Sequence, residues 1–238
     1  MTHKIAIVAA TQREIQPLLE YLVKNAEQHS FQTFQLHQVQ IDLLYSGIGL
    51  LQTTYTLMEY LSHRHPDGWI QAGIGGAFDP DLRIGEVYAI DSEMLIGFGA
   101  ENKEGHIMDP FEMGWNDPDA FPFEGGKLFC PYLHSTPMPS ASAMTTFHAH
   151  GNEDRIHELR STLHGQIENM EGASFFYISL LKKIPFVSLR AISNWVEPRD
   201  TSRWNIDLAI HHLNQSLIQW LEEKKFNVDK VFASERSH

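Results

Sequence analysis

Between Phe186 and Ile192 the chain runs Phe-Val-Ser-Leu-Arg-Ala-Ile, and this apolar run stops abruptly at Ser193, Asn194, Glu197, Arg199 and Asp200. A short run of this composition reads as a buried strand. In an open parallel sheet, ligands sit just beyond the carboxyl ends of the strands. A strand that ends in Ser-Asn with charged residues behind it therefore reads as the floor of a site. The competing reading is that Asn194 only satisfies a turn through its own side chain.

The remaining elements set the fold class. Lys4 to Ala10 is a strand, and Thr11 opens a helix in which Ile15, Leu18, Leu19 and Leu22 keep a helical period. Phe31–His37 and Val39–Tyr45 read as two strands, Leu50–His63 as a helix, and Trp69–Ala72 as a strand broken by the turn Gly73-Ile-Gly-Gly-Ala77. Gly85–Asp91 and Ser140–Phe147 have strand character, with an irregular, aromatic-rich loop at 97–127 between them. A loop of this length in a compact domain is usually functional or disordered; its aromatics favour a substrate-covering loop or an oligomer contact, with simple packing as the alternative. A helix starting at Asn152 runs to Leu163, a short strand at 166–169 leads into another helix, and Ile206–Leu221 closes the domain. Strands alternating with helices predict a three-layer α/β sandwich. Residues 1–227 read as one domain, and 228–238 as a frayed tail.

Composition excludes several classes of function. The formal charge of −12 comes without any basic stripe, which argues against nucleic acid as a partner. No apolar segment approaches membrane-spanning length. The stretch Ile5–Ala10 is too short for the apolar core of a signal peptide, so a cytoplasmic location is expected. The single cysteine, Cys130, forbids an internal disulfide and fits a reducing compartment. The 14 histidines are scattered, and pairs such as His63/His65 and His211/His212 lack a third ligand at useful spacing. Neither metal nor cofactor is expected.

Two carboxylates stand at helix starts. Glu14, three residues after Thr11, fits a capping box, yet it also faces the carboxyl edge of the sheet. Glu171 precedes Gly-Ala-Ser-Phe-Phe, where a helix dipole favours negative charge. The turns Ser46-Gly-Ile-Gly49 and Gly73-Ile-Gly-Gly76 could bring backbone amides close to a ligand. Neither has the spacing of a dinucleotide or phosphate loop. Together these features suggest hydrolysis of a bound small molecule, one carboxylate activating water.

Four stretches, in order along the chain, resemble the purine nucleosidase/nucleoside phosphorylase superfamily. They are Ile5–Glu14, Ser46–Gly49 with Ala72–Phe78, Asn169–Ala173, and Arg190–Asp200. The combination Ser-Asn-x-Val-x-Pro-Arg-Asp followed by Trp204 is most similar to the futalosine hydrolase branch. The resemblance implies a mixed central sheet between helical layers and cleavage of an N-glycosidic bond. The implied substrate is futalosine, split to hypoxanthine and dehypoxanthinylfutalosine in menaquinone biosynthesis. It further implies an assembly of two or more copies. Glu14 matches the carboxylate that orders and deprotonates the attacking water. Met170 and Glu171 match the pair at the ribose, Gly75 the turn near sugar and water, and Ser193 and Asn194 the positions holding the purine. Phe147 falls about where a residue lies against the base. Arg199 and Arg203 are candidate partners for the substrate's aryl carboxylate.

Two departures carry meaning. In the methylthioadenosine/S-adenosylhomocysteine nucleosidases the position of Asn194 is an aspartate that protonates adenine. An asparagine amide has no proton to give but offers both a donor and an acceptor, which suits a 6-oxopurine. Phosphorylases of the superfamily carry a hydroxyl where this chain has Ile74, so water rather than phosphate is the expected nucleophile. Arg13, beside Glu14, is the feature that keeps phosphate in play. The alternative activities are a methylthioadenosine/S-adenosylhomocysteine nucleosidase, a purine nucleoside phosphorylase, and a non-catalytic nucleoside-binding protein.

Overall fold

The first strand, β1 (His3–Ala9), shows why the chain forms layers. Ile5, Ile7 and Ala9 enter one buried cluster, while Ala6 and Val8 enter another on the opposite face. Successive strand side chains point to opposite faces, so a strand apolar at every position from Ile5 to Ala9 has to be covered on both sides. The computed structural model describes residues 2–103, 105–163, 165–198, 200–223 and 228–232.

A 3-10 turn (Gln12–Ile15) follows β1, then α1 (Gln16–Asn25), β2 (Glu27–Ser30), β3 (Thr33–Leu36), β4 (Val39–Tyr45), α2 (Leu50–His63) and β5 (Gly68–Ala77). Next come β6 (Val87–Leu95), the small pair β7 (Ala100–Glu101) and β8 (Ile107–Met108), β9 (Leu128–Phe129), β10 (Ser140–Thr145) and α3 (Glu153–Thr162). The chain continues through β11 (Ile167–Asn169), α4 (Gly172–Lys182), β12 (Phe186–Trp195), α5 (Ile206–Glu222) and α6 (Val228–Val231). All strands except β7 and β8 join one mixed sheet, ordered β11-β10-β6-β12-β5-β1-β4-β3-β2, with β9 against β6. Strand β12 runs parallel to β5 and antiparallel to β6. Leu18, Leu22, Leu213 and Leu217 of α1 and α5 cover one face; Leu57, Phe175 and Phe176 of α2 and α4 cover the other. The three-layer α/β expectation holds.

Three features of the fold differ from the sequence reading. The glycines of Gly73–Ala77 make no turn; they continue β5 to its end. Their smallness admits β11, which pairs antiparallel with the end of β5, Ile167 opposite Ala77 and Glu168 opposite Gly76. A Cβ on Gly75 would lie 2.6 Å from Ile167 Cγ2 and 2.9 Å from the Glu168 carbonyl oxygen. Close backbone approach, not left-handed geometry, is what the glycine serves. Second, β12 extends past Ile192 to Trp195, with a register shift between Ile192 and Asn194. Such irregularities re-aim side chains next to sites. Third, the expected frayed tail is packed where it is described: Val228, Val231 and Phe232 are buried in the core beside β1 and α5. Residues 233–238 lie outside the described residues.

Smaller differences follow from local chemistry. Pro17 stands at the start of α1, so the helix expected from Thr11 begins as a 3-10 turn and becomes α-helical at Gln16. Strand β2, wholly exposed, carries no apolar pattern by which to see it. Phe31 lies in the turn after it rather than in a strand. The loop at 97–127 holds the β7–β8 pair and packs inward through Phe111 and Phe123, rings 5.2 Å apart, with Phe123 5.8 Å from Tyr177 of α4.

Candidate active site

At the carboxyl ends of β1, β5 and β12 lies a cavity of about 410 Å³, lined by residues from most of the stretches singled out in the sequence. Glu14, Gly75, Met170, Glu171, Ser193 and Asn194 all face it. Phe147 does not: it is half exposed, its ring 6.2 Å from that of Phe98. The residues of that segment that reach the cavity are Ala149 and His150.

Glu14 does both jobs read from its position. Its Oε2 accepts from the Thr11 backbone N–H at 2.8 Å and from the Thr11 hydroxyl at 3.0 Å, closing the 3-10 turn. Its Oε1 reaches across to β5 and accepts from the Ile74 N–H at 3.3 Å. Capping thus holds one oxygen and aims the other at the cavity.

Glu171 is freed from capping by its neighbour. It stands at the N-cap of α4 but makes no side-chain bond to that helix. Asn169 Oδ1 caps instead, accepting from the N–H groups of Glu171 (3.0 Å) and Gly172 (2.6 Å). The Glu171 carboxylate turns to the first glycine turn, where Oε1 accepts from the Gly49 N–H at 2.9 Å. Gly47 and Gly49 have φ of 79° and 82°, a backbone that only glycine adopts readily. Burial pushes the Glu171 carboxyl up, opposed by the Arg190 guanidinium and the Gly49 bond, with the Glu14 charge adding to the rise.

Arg190 is a buried charge beside the site that the sequence reading passed over. It sits 1% exposed in the middle of β12, its Nη1 donating to the Leu189 carbonyl at 3.2 Å, while Nε and Nη2 bond no protein atom. A Cβ placed on Gly73 would lie 3.1 Å from Arg190 Nη1 and 3.2 Å from Glu14 Oε1. The cation and the carboxylate therefore converge above one glycine. The signal was available: an arginine inside an apolar strand is costly to bury unless charges meet it. Here they are Glu14, Glu171 and Glu93. Glu93 is buried behind the cavity, accepting from Asn169 Nδ2 at 3.0 Å and Thr145 Oγ1 at 2.9 Å. Burial pushes its carboxyl up to about 7, against the pull of Arg190 and these two donors.

On the opposite wall, Ser193 Oγ lies 3.1 Å from the Gly75 carbonyl and 2.7 Å from Asn194 Oδ1, and Asn194 Nδ2 donates to the Trp195 carbonyl at 3.0 Å. Each end of the amide keeps one further bonding capacity. The bulge after Ile192 is what turns Asn194 to this wall. Trp204, Ile206 and Ile210 add apolar surface. Arg13, exposed, pairs with Asp207 at 2.9 Å, and Arg203 pairs with Glu197 at 2.9 Å. Arg199 lies outside the described residues. Among the described residues no group of three or more His, Cys, Asp or Glu side chains is placed to hold a metal ion. No helix among them is long and apolar enough to cross a membrane.

A mixed sheet between helical layers thus presents two carboxylates, Glu14 and Glu171, to a cavity at its strand ends, with the buried Arg190 close to both. The phosphorylase superfamily matches residues 4–221, and the chain belongs to it. Among curated relatives, the futalosine hydrolase of Streptomyces coelicolor is 27% identical over 182 residues, spanning 74% of this chain and 76% of its own. The 5'-methylthioadenosine/S-adenosylhomocysteine nucleosidase of Tolumonas auensis is 25% identical over 224 residues, covering 90% of this chain and 95% of its own. Among solved structures, a mutant of the corresponding Helicobacter pylori nucleosidase, with 5'-methylthioadenosine in its active site, superposes with a TM-score of 0.74. It is 19% identical and covers 92% of this chain and 98% of its own. The futalosine hydrolase of the same organism gives a TM-score of 0.70 at 17% identity, covering 92% and 99%. At such identities these structures speak for the fold.

Proposed function

We propose that this protein hydrolyses the N-glycosidic bond of a purine nucleoside, with futalosine as substrate and hypoxanthine and dehypoxanthinylfutalosine as products. The observation that carries the reading is the convergence of Glu14 and Arg190 above Gly73, with Glu171 held beside them by Gly49. Glu14 takes a proton from water as its oxygen adds to C1′. Arg190 steadies the water and its developing negative charge. Glu171 accepts from the ribose hydroxyls and, with Glu14, stabilises the cationic sugar of the transition state.

The nature of the base is read from Asn194. Its remaining donor and acceptor capacities match O6 and the N7 proton of hypoxanthine, whereas adenine presents the opposite polarity at its 6-position. A site built for one pattern rejects the other by roughly 10⁴-fold. Water is favoured over phosphate because Ile74 supplies no hydroxyl and Arg13 is engaged by Asp207. Arg203, paired with Glu197, is a weaker candidate for the aryl carboxylate than its sequence position suggested.

The protein acts as an assembly of two or more copies in the cytoplasm. Support for assembly comes from Leu51 and Tyr55 on α2 and Tyr177 and Leu181 on α4, all exposed. Met58, Tyr177 and Leu181 also line a largely apolar hollow of about 500 Å³ that includes Phe123 of the long loop. The test of function is base release from purified protein, followed by chromatography with hypoxanthine and adenine nucleosides in parallel.

A further inference from the structure

Five titratable side chains line the cavity: Arg13, Glu14, His150, Glu168 and Glu171. The proposed hydrolysis employs Glu14 at the water and Glu171 at the ribose, and Arg13 pairs outward with Asp207. His150 and Glu168 are left over. Their side chains are each 7% exposed. Glu168 Oε2 meets His150 Nδ1, and Glu168 Oε1 also accepts from the His150 backbone N–H at 3.2 Å. One carboxylate thus fixes both the ring and the loop that carries it.

The sheet register says where this pair sits. Gly76 of β5 has Asn194 of β12 opposite it on one side and Glu168 of β11 on the other. Neighbouring strands are about 4.8 Å apart, so the pair lies across a single strand from the residue assigned to the base. The ring is further bounded by Phe78, centroids 6.1 Å apart, and by His148 at 4.7 Å.

The chemistry needs such a group. When the C1′–N9 bond breaks, its electron pair passes into the purine, which departs far more readily if it is protonated. Asn194 has no proton to give, and Glu14 is gaining one from water. A buried carboxylate costs least when matched by a cation, and an imidazolium held through Nδ1 presents Nε2–H as a donor. We propose that His150 is the general acid that protonates the departing purine, with Glu168 as its positioning residue. The proposal rests on the hydrolytic reading above. The step balances. His150 Nε2 gives its proton to a basic nitrogen of the purine as the glycosidic bond breaks. The water oxygen bonds C1′ and its proton goes to Glu14. Glu14 then returns a proton to His150 through solvent.

The test compares two substrates in wild-type, His150→Gln and Glu168→Gln protein: futalosine, and 4-nitrophenyl β-D-riboside, whose leaving group departs as an anion without being protonated. For His150→Gln the expected result is a kcat on futalosine lower by roughly 100-fold or more, with the nitrophenyl riboside changed by no more than about threefold. Glu168→Gln should move the same ratio in the same direction, and it carries the test if His150→Gln fails to fold. An equal loss on both substrates would assign the pair a structural role and overturn the proposal. A rise in KM with kcat unchanged would overturn it too, making His150 a reader of the base. Wild-type protein that releases no base from any purine nucleoside would defeat the functional reading instead; an active wild type with unselective variants defeats only this inference.

Discussion

The Glu14 carboxylate accepts a hydrogen bond from the Ile74 backbone N–H at 3.3 Å, joining the first turn after β1 to the end of β5. The other oxygen of the same carboxylate accepts from the Thr11 N–H and hydroxyl, so both are in use. Glutamine keeps one acceptor oxygen and loses the other, so Glu14→Gln should give up part of the capping box while removing the proposed base. We expect kcat to fall by about 10²- to 10⁴-fold and stability to fall by about 0.5–2 kcal/mol, measured by base release and by calorimetry.

On the proposed reading, Asn194 decides the purine. Asn194→Asp replaces the donor end of the amide with a carboxyl that can carry a proton. The ratio of kcat/KM for methylthioadenosine over futalosine should rise by at least about tenfold. An unchanged ratio would remove Asn194 from the account of specificity.

Gly75 serves packing rather than turning. Gly75→Ala would drive a methyl to 2.6 Å from Ile167 and 2.9 Å from the Glu168 carbonyl. Overpacking of this kind costs about 1–3 kcal/mol. Urea unfolding should show the loss, and activity should fall as well because β11 carries Glu168, Met170 and the cap of α4 at its end.

Glu93 gives stability a pH dependence. Burial raises its carboxyl from the ordinary 4.5 to about 7 in the folded chain, with Arg190 opposing. The folded state therefore holds a proton that the unfolded chain releases between those values. The stabilisation is complete below about pH 4.5 and is lost as pH rises through about 7. Glu93→Gln should flatten this contribution between pH 5 and 8. A wild-type melting temperature that climbs across that range, with the same climb in the variant, would contradict it.

Much of this was legible in the sequence because apolar periodicity reports burial directly. The bounds of α2 at Leu50–His63 and of β4 at Val39–Tyr45 were read as they stand. Glu14, Met170, Glu171, Ser193 and Asn194 share a cavity because each lies in or just beyond the carboxyl end of a strand at one edge of the sheet. What could not be read depended on contacts between distant strands. Gly75 looks like a turn until β11 is seen crossing it. Arg190 looks like an interruption until three carboxylates surround it. His150 and Glu168 are 18 residues apart and meet only because β10 and β11 are parallel neighbours. Phe147 came from the resemblance alone, and the residues of that segment on the cavity are Ala149 and His150, two and three positions further along.

The most direct test of the central claim is base release from futalosine and methylthioadenosine by the purified wild-type protein, with and without phosphate. The account predicts hypoxanthine from futalosine at a rate indifferent to phosphate, and little adenine. Phosphate-dependent release would make the enzyme a phosphorylase, and preferential release of adenine would overturn the reading of Asn194.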